Sequence, residues 1–206
     1  MAIEAPLPLL SSRIVVFSDF NCPYCFTLDT WLTELKVGHK VRWVGIEHRP
    51  MLPRVGGNAD EDARVLAREV ADVDQRAPEV GVRAPPFWCN SRDALLLQNA
   101  VEVDDPALAP EIRQRLFRSY WVDGRPLCDP KVIDGLRADL PDVDVDADAE
   151  ATELDRLTDW WRRHVDRIPA MFAPTGIVHL GLQDRETVRR FVLSAIAEAE
   201  PGPGCQ

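Results

Sequence analysis

Two cysteines separated only by Pro23 and Tyr24 stand where an apolar, β-type run gives way to a helical pattern, and this junction constrains the fold more than anything else in the chain. Ile14-Val15-Val16-Phe17 is uncharged and rich in β-branched residues, as a strand buried on both faces requires. It stops at Ser18-Asp19. Leu28, Trp31, Leu32 and Leu35 then recur at helical spacing, with Asp29, Thr30 and Glu34 on the other side, so a strand feeds directly into a helix with Cys22 at its entrance. Gly38 offers a helix stop, and Val41-Arg42-Trp43-Val44-Gly45-Ile46 reads as a second strand. A βαβ opening implies parallel strands.

The pattern then changes. His48 to Pro53 with Gly56-Gly57 reads as a loop, and helices follow: Ala63, Leu66, Ala67 and Val70 share a face, then Ala94 to Val101, then Leu108, Ile112, Leu116 and Tyr120. Asp129 followed by Pro130 suits a helix start, with Ile133, Leu136 and Leu140 facing inward. The acidic run Asp142 to Glu150 is expected to be a link, and Leu154, Leu157, Trp161 and Val165 make one more amphipathic helix. Ala170-Met171-Phe172 and Gly176 to Leu180, separated by Ala173-Pro174-Thr175, predict two strands joined by a tight turn. Asp184 caps a last helix striped with Val188, Phe191, Val192, Ala195, Ile196 and Ala199. The expected organisation is an α/β domain in two parts, 1–57 and 149–200, interrupted by a helical domain at 58–148 and followed by a disordered tail at 201–206.

Thiol–disulfide exchange needs an exposed thiolate, stabilised near neutrality, beside a second thiol that resolves the mixed disulfide. A strand-to-helix junction supplies these. Cys22 at the helix entrance meets unsatisfied backbone N–H groups and the positive end of the helix dipole, so its pKa is expected below the free value of roughly 8.5. Cys25, about one turn further on, points inward and is the natural resolving thiol. Pro23 fits the first helical turn and stiffens the loop, and Tyr24 is expected to tune access and potential. Two buried structural cysteines are the bland alternative. Half of a zinc site is another, but Cys89, Cys128 and Cys205 read as isolated and His39, His48, His164 and His179 show no ligand spacing, so no metal is expected.

On Phe17 to Cys25 and on Arg167-Ile168-Pro169-Ala170-Met171-Phe172 the chain resembles the DsbA-like branch of the thioredoxin superfamily, especially its cytosolic FrnE-like members. The resemblance implies a thioredoxin fold, a central mixed sheet flanked by helices, carrying an inserted all-helical domain. It also implies that Pro169 is a cis-proline facing the cysteine pair and that the backbone of Ile168 pairs with an extended substrate segment. Arg167 stands where the family commonly has Gly, and Ala170 where Thr or Ser is frequent. Kappa-class glutathione transferases and 2-hydroxychromene-2-carboxylate isomerases look similar in layout but usually carry Ser at the first motif position, where this chain has Cys22. Asn90-Ser91 resembles a helix entrance common to both groups.

The expected function is therefore thiol–disulfide oxidoreduction through Cys22 and Cys25. A glutathione-dependent isomerase or transferase is the first alternative, and a noncatalytic chaperone or binding module the second. Expected partners are thiol- or disulfide-containing proteins or small molecules, with glutathione or another small thiol as candidate co-substrate, no required cofactor, and a homodimer as candidate assembly. The net charge of −10 opposes binding to nucleic acid or anionic membranes. No apolar stretch nears the roughly 20 residues that span a bilayer, and no secretory signal is visible, so a cytoplasmic location is expected.

Among other residues, Asp19 is either a proton carrier for the thiols or a turn residue bonded to its own backbone. Trp88, in the loop Pro85 to Cys89, is the tryptophan expected to stay near the surface. Trp160-Trp161-Arg162-Arg163-His164 reads as a solvated helix face balanced by Asp155 and Asp159.

Overall fold

The computed structural model describes residues 11–55, 57–138, 147–165 and 167–199. Strand β1 (Ile14–Ser18) is buried at every position and sits inside a mixed sheet. On one side β2 (Val41–Gly45) runs parallel, Ile14 opposite Val41. On the other, β3 (Ala170–Phe172) runs antiparallel, Phe17 opposite Ala170, and pairs with β4 (Val178–Leu180) at the far edge. Helix α1 (Pro23–Glu34) connects β1 to β2, and α2 (Asp60–Arg76), α3 (Arg92–Asp104), α4 (Ala109–Trp121), α5 (Pro130–Ala138) and α6 (Ala147–His164) lie between β2 and β3. Helix α7 (Arg185–Ala199) closes the order, with Asp184 accepting the Thr187 N–H at 2.9 Å as its cap.

Several boundaries move from their expected places for physical reasons. α1 ends before Gly38: Lys36 takes the left-handed conformation (φ 58°) that a glycine would adopt freely, and Gly38 instead opens a short 3₁₀ turn. Glu150 and its neighbours from 147 onward belong to α6, where acidic residues suit a first turn, while 142–146 and Leu140 lie outside the described residues. On α2 a narrow stripe docks, Leu66 and Val73 with half-buried Val65 and Val70. Ala63 and Ala67 face solvent.

The outer edge of β2 is closed by side chains. The Asn99 carboxamide on α3 accepts the Gly45 N–H at 2.9 Å and donates to the Gly45 carbonyl at 3.3 Å, while Glu102 accepts the Trp43 N–H and Arg13 donates to the Val41 carbonyl at 3.4 Å. This needs the missing side chain of Gly45, since a Cβ there would lie 2.8 Å from Leu95 Cδ2. No described helix is long and apolar enough to cross a membrane.

A buried ion pair ties α1 to α4. Arg113 Nε donates to Asp29 at 2.6 Å, both side chains are 2% exposed, and the guanidinium lies 4.5 Å over the Trp43 ring. Burial pushes the Asp29 carboxyl up and the Arg113 charge opposes that push. Such a pair is costly to break by halves, because the survivor is a buried, unpaired charge. Arg113→Met should lower the stability measured by urea unfolding by about 3–5 kcal/mol, and adding Asp29→Leu should recover most of the loss. If the double variant is no better than the single, the pair is a net contributor and not merely a matched one.

Candidate functional site

The segment before α1 is pinned through its backbone. Cys22 N–H donates to the Asp19 carbonyl at 3.2 Å, and the Cys22 carbonyl accepts from Cys25 and Phe26 at 3.1 and 3.2 Å. The carbonyls of Phe20 and Asn21 accept the indole N–H groups of Trp121 at 2.8 Å and Trp88 at 2.6 Å. Cys22 is the N-cap residue (φ −108°, ψ 115°) and Pro23 opens the helix, where its missing N–H costs nothing. A βα turn usually leaves such carbonyls to water. Here two fully buried tryptophans satisfy them.

Cys22 and Cys25 are free thiols whose side chains hydrogen-bond to each other. Burial first, and then this hydrogen bond, hold the Cys25 proton well above the ordinary thiol range. Two expectations are corrected. The Cys22 side chain makes no capping hydrogen bond to first-turn amides, and it is not openly exposed: 3% of Cys22 reaches solvent, against none of Cys25. The Tyr24 hydroxyl beside the pair bonds to Asp72 on α2, with the Glu69 charge nearby. Burial and that bond raise the Tyr24 pKa.

Asp19 is fully buried and both readings of it meet in one carboxylate. It accepts the Asn21 N–H at 3.3 Å, a local turn bond, together with the His48 N–H at 2.8 Å and the Ser91 hydroxyl. Its backbone also bonds to the Cys25 sulfur. Burial outweighs those bonds and pushes its pKa up to about 6. His48, beside it, is driven down to about 4 by burial and by the Arg49 and Arg162 charges.

Pro169 and Ile168 are buried, and the Ile168–Pro169 peptide is cis. Since Phe17 pairs with Ala170 antiparallel, Pro169 falls at the sheet end from which the chain runs on to Cys22. The Pro169 carbonyl accepts the Gly181 N–H at 2.8 Å, and Ala170 is fully buried within the sheet.

Sequence reasoning missed the clamp on this loop. Ser91 does not cap α3 with its side chain. Its hydroxyl goes to Asp19 and accepts from Asn21 Nδ2 at 3.3 Å. Trp88, expected near the surface, is fully buried because its indole N–H has a backbone carbonyl to bond and the Arg49 guanidinium covers its ring at 4.2 Å. Cys89 and Cys128 are not isolated: their side chains hydrogen-bond to each other. Of the Trp160 to His164 face, Trp161 is core and donates to the Arg167 carbonyl at 3.0 Å, while Trp160 stacks on Phe17. Asp159 pairs with Arg163 as expected, but Asp155 turns to Arg92 at 2.8 Å. Among the described residues no three His, Cys, Asp or Glu gather as a metal site would require.

No family model matches the sequence, and no curated protein does. Solved structures do match the fold. A probable DsbA oxidoreductase from Streptomyces coelicolor superposes with a TM-score of 0.62 at 16% identity, over 94% of this chain and 94% of that one. The cytosolic disulfide reductase DsbM from Pseudomonas aeruginosa, also solved with GSH, gives 0.63 at 14% identity over 90% and 99%. A 2-hydroxychromene-2-carboxylate isomerase gives 0.60 at 18% identity over 90% and 94%. The fold is thus a DsbA-like thioredoxin fold with a helical insertion.

Two outcomes follow from the geometry. The folded state holds the Asp19 proton more tightly than the unfolded chain, whose carboxyl titrates near 3.8, so its contribution favours the fold below about pH 4 and is lost as pH rises to about 6. Asp19→Asn should remove a decline of order 2–3 kcal/mol from the pH–stability profile between those values. An identical profile in the variant would assign the decline to other acids. Tyr24→Phe should loosen α2 over the motif and raise the rate of Cys22 alkylation by a small haloacetamide severalfold, followed by peptide mapping. An unchanged rate would place the barrier elsewhere.

Proposed function

We propose that the chain is a thiol–disulfide oxidoreductase in which Cys22 is the attacking sulfur and Cys25 the resolving one. The observation that carries this reading is the difference in burial within the pair: Cys22, the N-cap residue of α1, alone of the two reaches solvent, with Cys25 sealed behind it. Cys22 is thereby the sulfur that a substrate can touch. Cys22 attacks a substrate disulfide, forming a mixed disulfide and releasing one substrate thiolate. Cys25 then gives up its proton and attacks the Cys22 sulfur, which closes the internal disulfide, releases the second thiolate and moves two electrons to the substrate.

The Cys25 proton needs a local acceptor, since that thiol is sealed from water. We assign that role to Asp19, whose backbone bonds to the Cys25 sulfur, whose charge acts on that thiol, and whose carboxyl is poised near 6. Resolution by this route quickens as pH rises through that value. Ile168, beside Pro169, is the candidate to hold an extended substrate segment by strand-like pairing. The sliver of Cys22 at the surface favours small disulfides, glutathione disulfide among them, and thin extended chains over bulky folded ones.

A second reading has the likeness to the isomerase behind it: the same site binding glutathione for isomerisation or transfer, with no redox cycle. The two separate cleanly. Under the first, Cys22→Ser abolishes turnover of a small disulfide and Cys25→Ser accumulates mixed adducts that mass spectrometry detects. Full activity in the Cys22→Ser variant, or stable glutathione binding without any internal disulfide on mild oxidation, would end it. The reduction potential of the pair then assigns direction, because roughly 30 mV shifts the two-electron equilibrium tenfold.

A further inference from the structure

We propose that Cys89 and Cys128 form a second redox-active dithiol, which closes to an intramolecular disulfide by passing two electrons to a disulfide oxidant without the participation of Cys22 or Cys25.

The geometry is that of a prepared pair. The Cys128 and Cys89 side chains hydrogen-bond to each other, and the backbone N–H groups of Leu127 and Cys128 point at the Cys89 sulfur. The Tyr120 hydroxyl stands over it as well, accepting the Cys89 N–H at 2.9 Å and donating to the Phe87 carbonyl at 3.1 Å. Donors converging on one buried sulfur are what a thiolate needs in place of water. Cys89 is 1% exposed and Cys128 8%, so Cys128 is the sulfur an oxidant meets first.

Both backbones are held on either side of the pair. Asn58 bonds to Trp88 through both its amide oxygen and its amide nitrogen, and Asn90 N–H reaches the Pro53 carbonyl at 2.9 Å, so Cys89 sits between two fixed neighbours. On the other side Leu127 is fully buried, and Asp129 both donates to the Pro126 carbonyl and caps α5 by accepting the Lys131 N–H at 3.0 Å. A bond between the sulfurs joins the two ends of the stretch that contains α3 and α4. It also fastens the segment from Trp88 to Ser91, which grips the loop before Cys22.

With glutathione disulfide as oxidant the exchange balances in two steps. The Cys128 sulfur attacks, the glutathione S–S bond breaks, and one glutathione leaves with the Cys128 proton. Cys89 then attacks the Cys128 sulfur, and the second glutathione leaves with the Cys89 proton. Burial raises both thiols, Cys128 to about 12, so the first step is slow near neutrality and quickens as thiolate forms.

The test uses the full chain, with Cys22, Cys25 and Cys205 replaced by Ser, incubated with glutathione disulfide, quenched in acid, alkylated and mapped by mass spectrometry. The expected result is a cross-linked Cys89–Cys128 peptide, reversed by a dithiol reductant. Its rate should climb about tenfold per pH unit from about pH 7 to about pH 9, and the oxidised form should melt several degrees higher. The same mapping on the unsubstituted chain guards against a folding defect in the variant. If Cys128 stops at a glutathione adduct, or both thiols stay alkylatable only after unfolding while Cys22 and Cys25 oxidise, the proposal is overturned. Loss of the Cys22 reading would leave it standing, since its variant carries no Cys22.

Discussion

A backbone that must turn sharply from a buried strand into a helix carries carbonyls and amides that water cannot reach, and satisfying them is the constraint on which this molecule depends. Phe20 and Asn21 give their carbonyls to two indoles, Asp19 takes two amides and a hydroxyl, and every one of these partners except the Asn21 amide comes from far along the chain. Unmade, each such bond would cost about 1–3 kcal/mol. The helical insertion is therefore more than a cover. It supplies Trp88, Ser91 and Trp121, without which the turn bearing Cys22 has no reason to hold one shape.

The same enclosure sets the chemistry. Around the paired thiols burial raises the carboxyl of Asp19 and the S–H of Cys25 together while pressing His48 toward neutrality, so protons are held locally. The Asp29–Arg113 pair follows a different rule: it keeps its charges by facing them against each other, and fixes α1 against α4.

The local parts of this arrangement were legible in the residues. The uncharged run at Ile14 to Phe17, the Cys22 and Cys25 spacing, the Asp129 and Asp184 caps and the hairpin at Ala173 to Thr175 each depend on neighbours a few positions apart, and each lies where its pattern placed it. The clamp did not read out, because a Trp that bonds a carbonyl 67 positions away looks the same in sequence as one buried for its size. Ser91 carries a helix-cap signal that tertiary contact redirects to Asp19. Cys89 and Cys128, 39 positions apart by number, meet only because α3 and α4 fold back on each other. Tyr24 is local to the motif, but the Asp72 that holds it is not.

Asn99, Glu102 and Arg13 occupy the outward groups of β2 as the peptides of a further strand would. A neighbouring molecule cannot therefore prolong the sheet there without first pulling α3 away. At the opposite margin β4 offers just three residues, though Val178 and Leu180 on it are exposed. Runaway stacking of copies into fibrils, the hazard of any bare strand margin, thus has one side plugged by a mimic of its own backbone and the other too short to serve as a template.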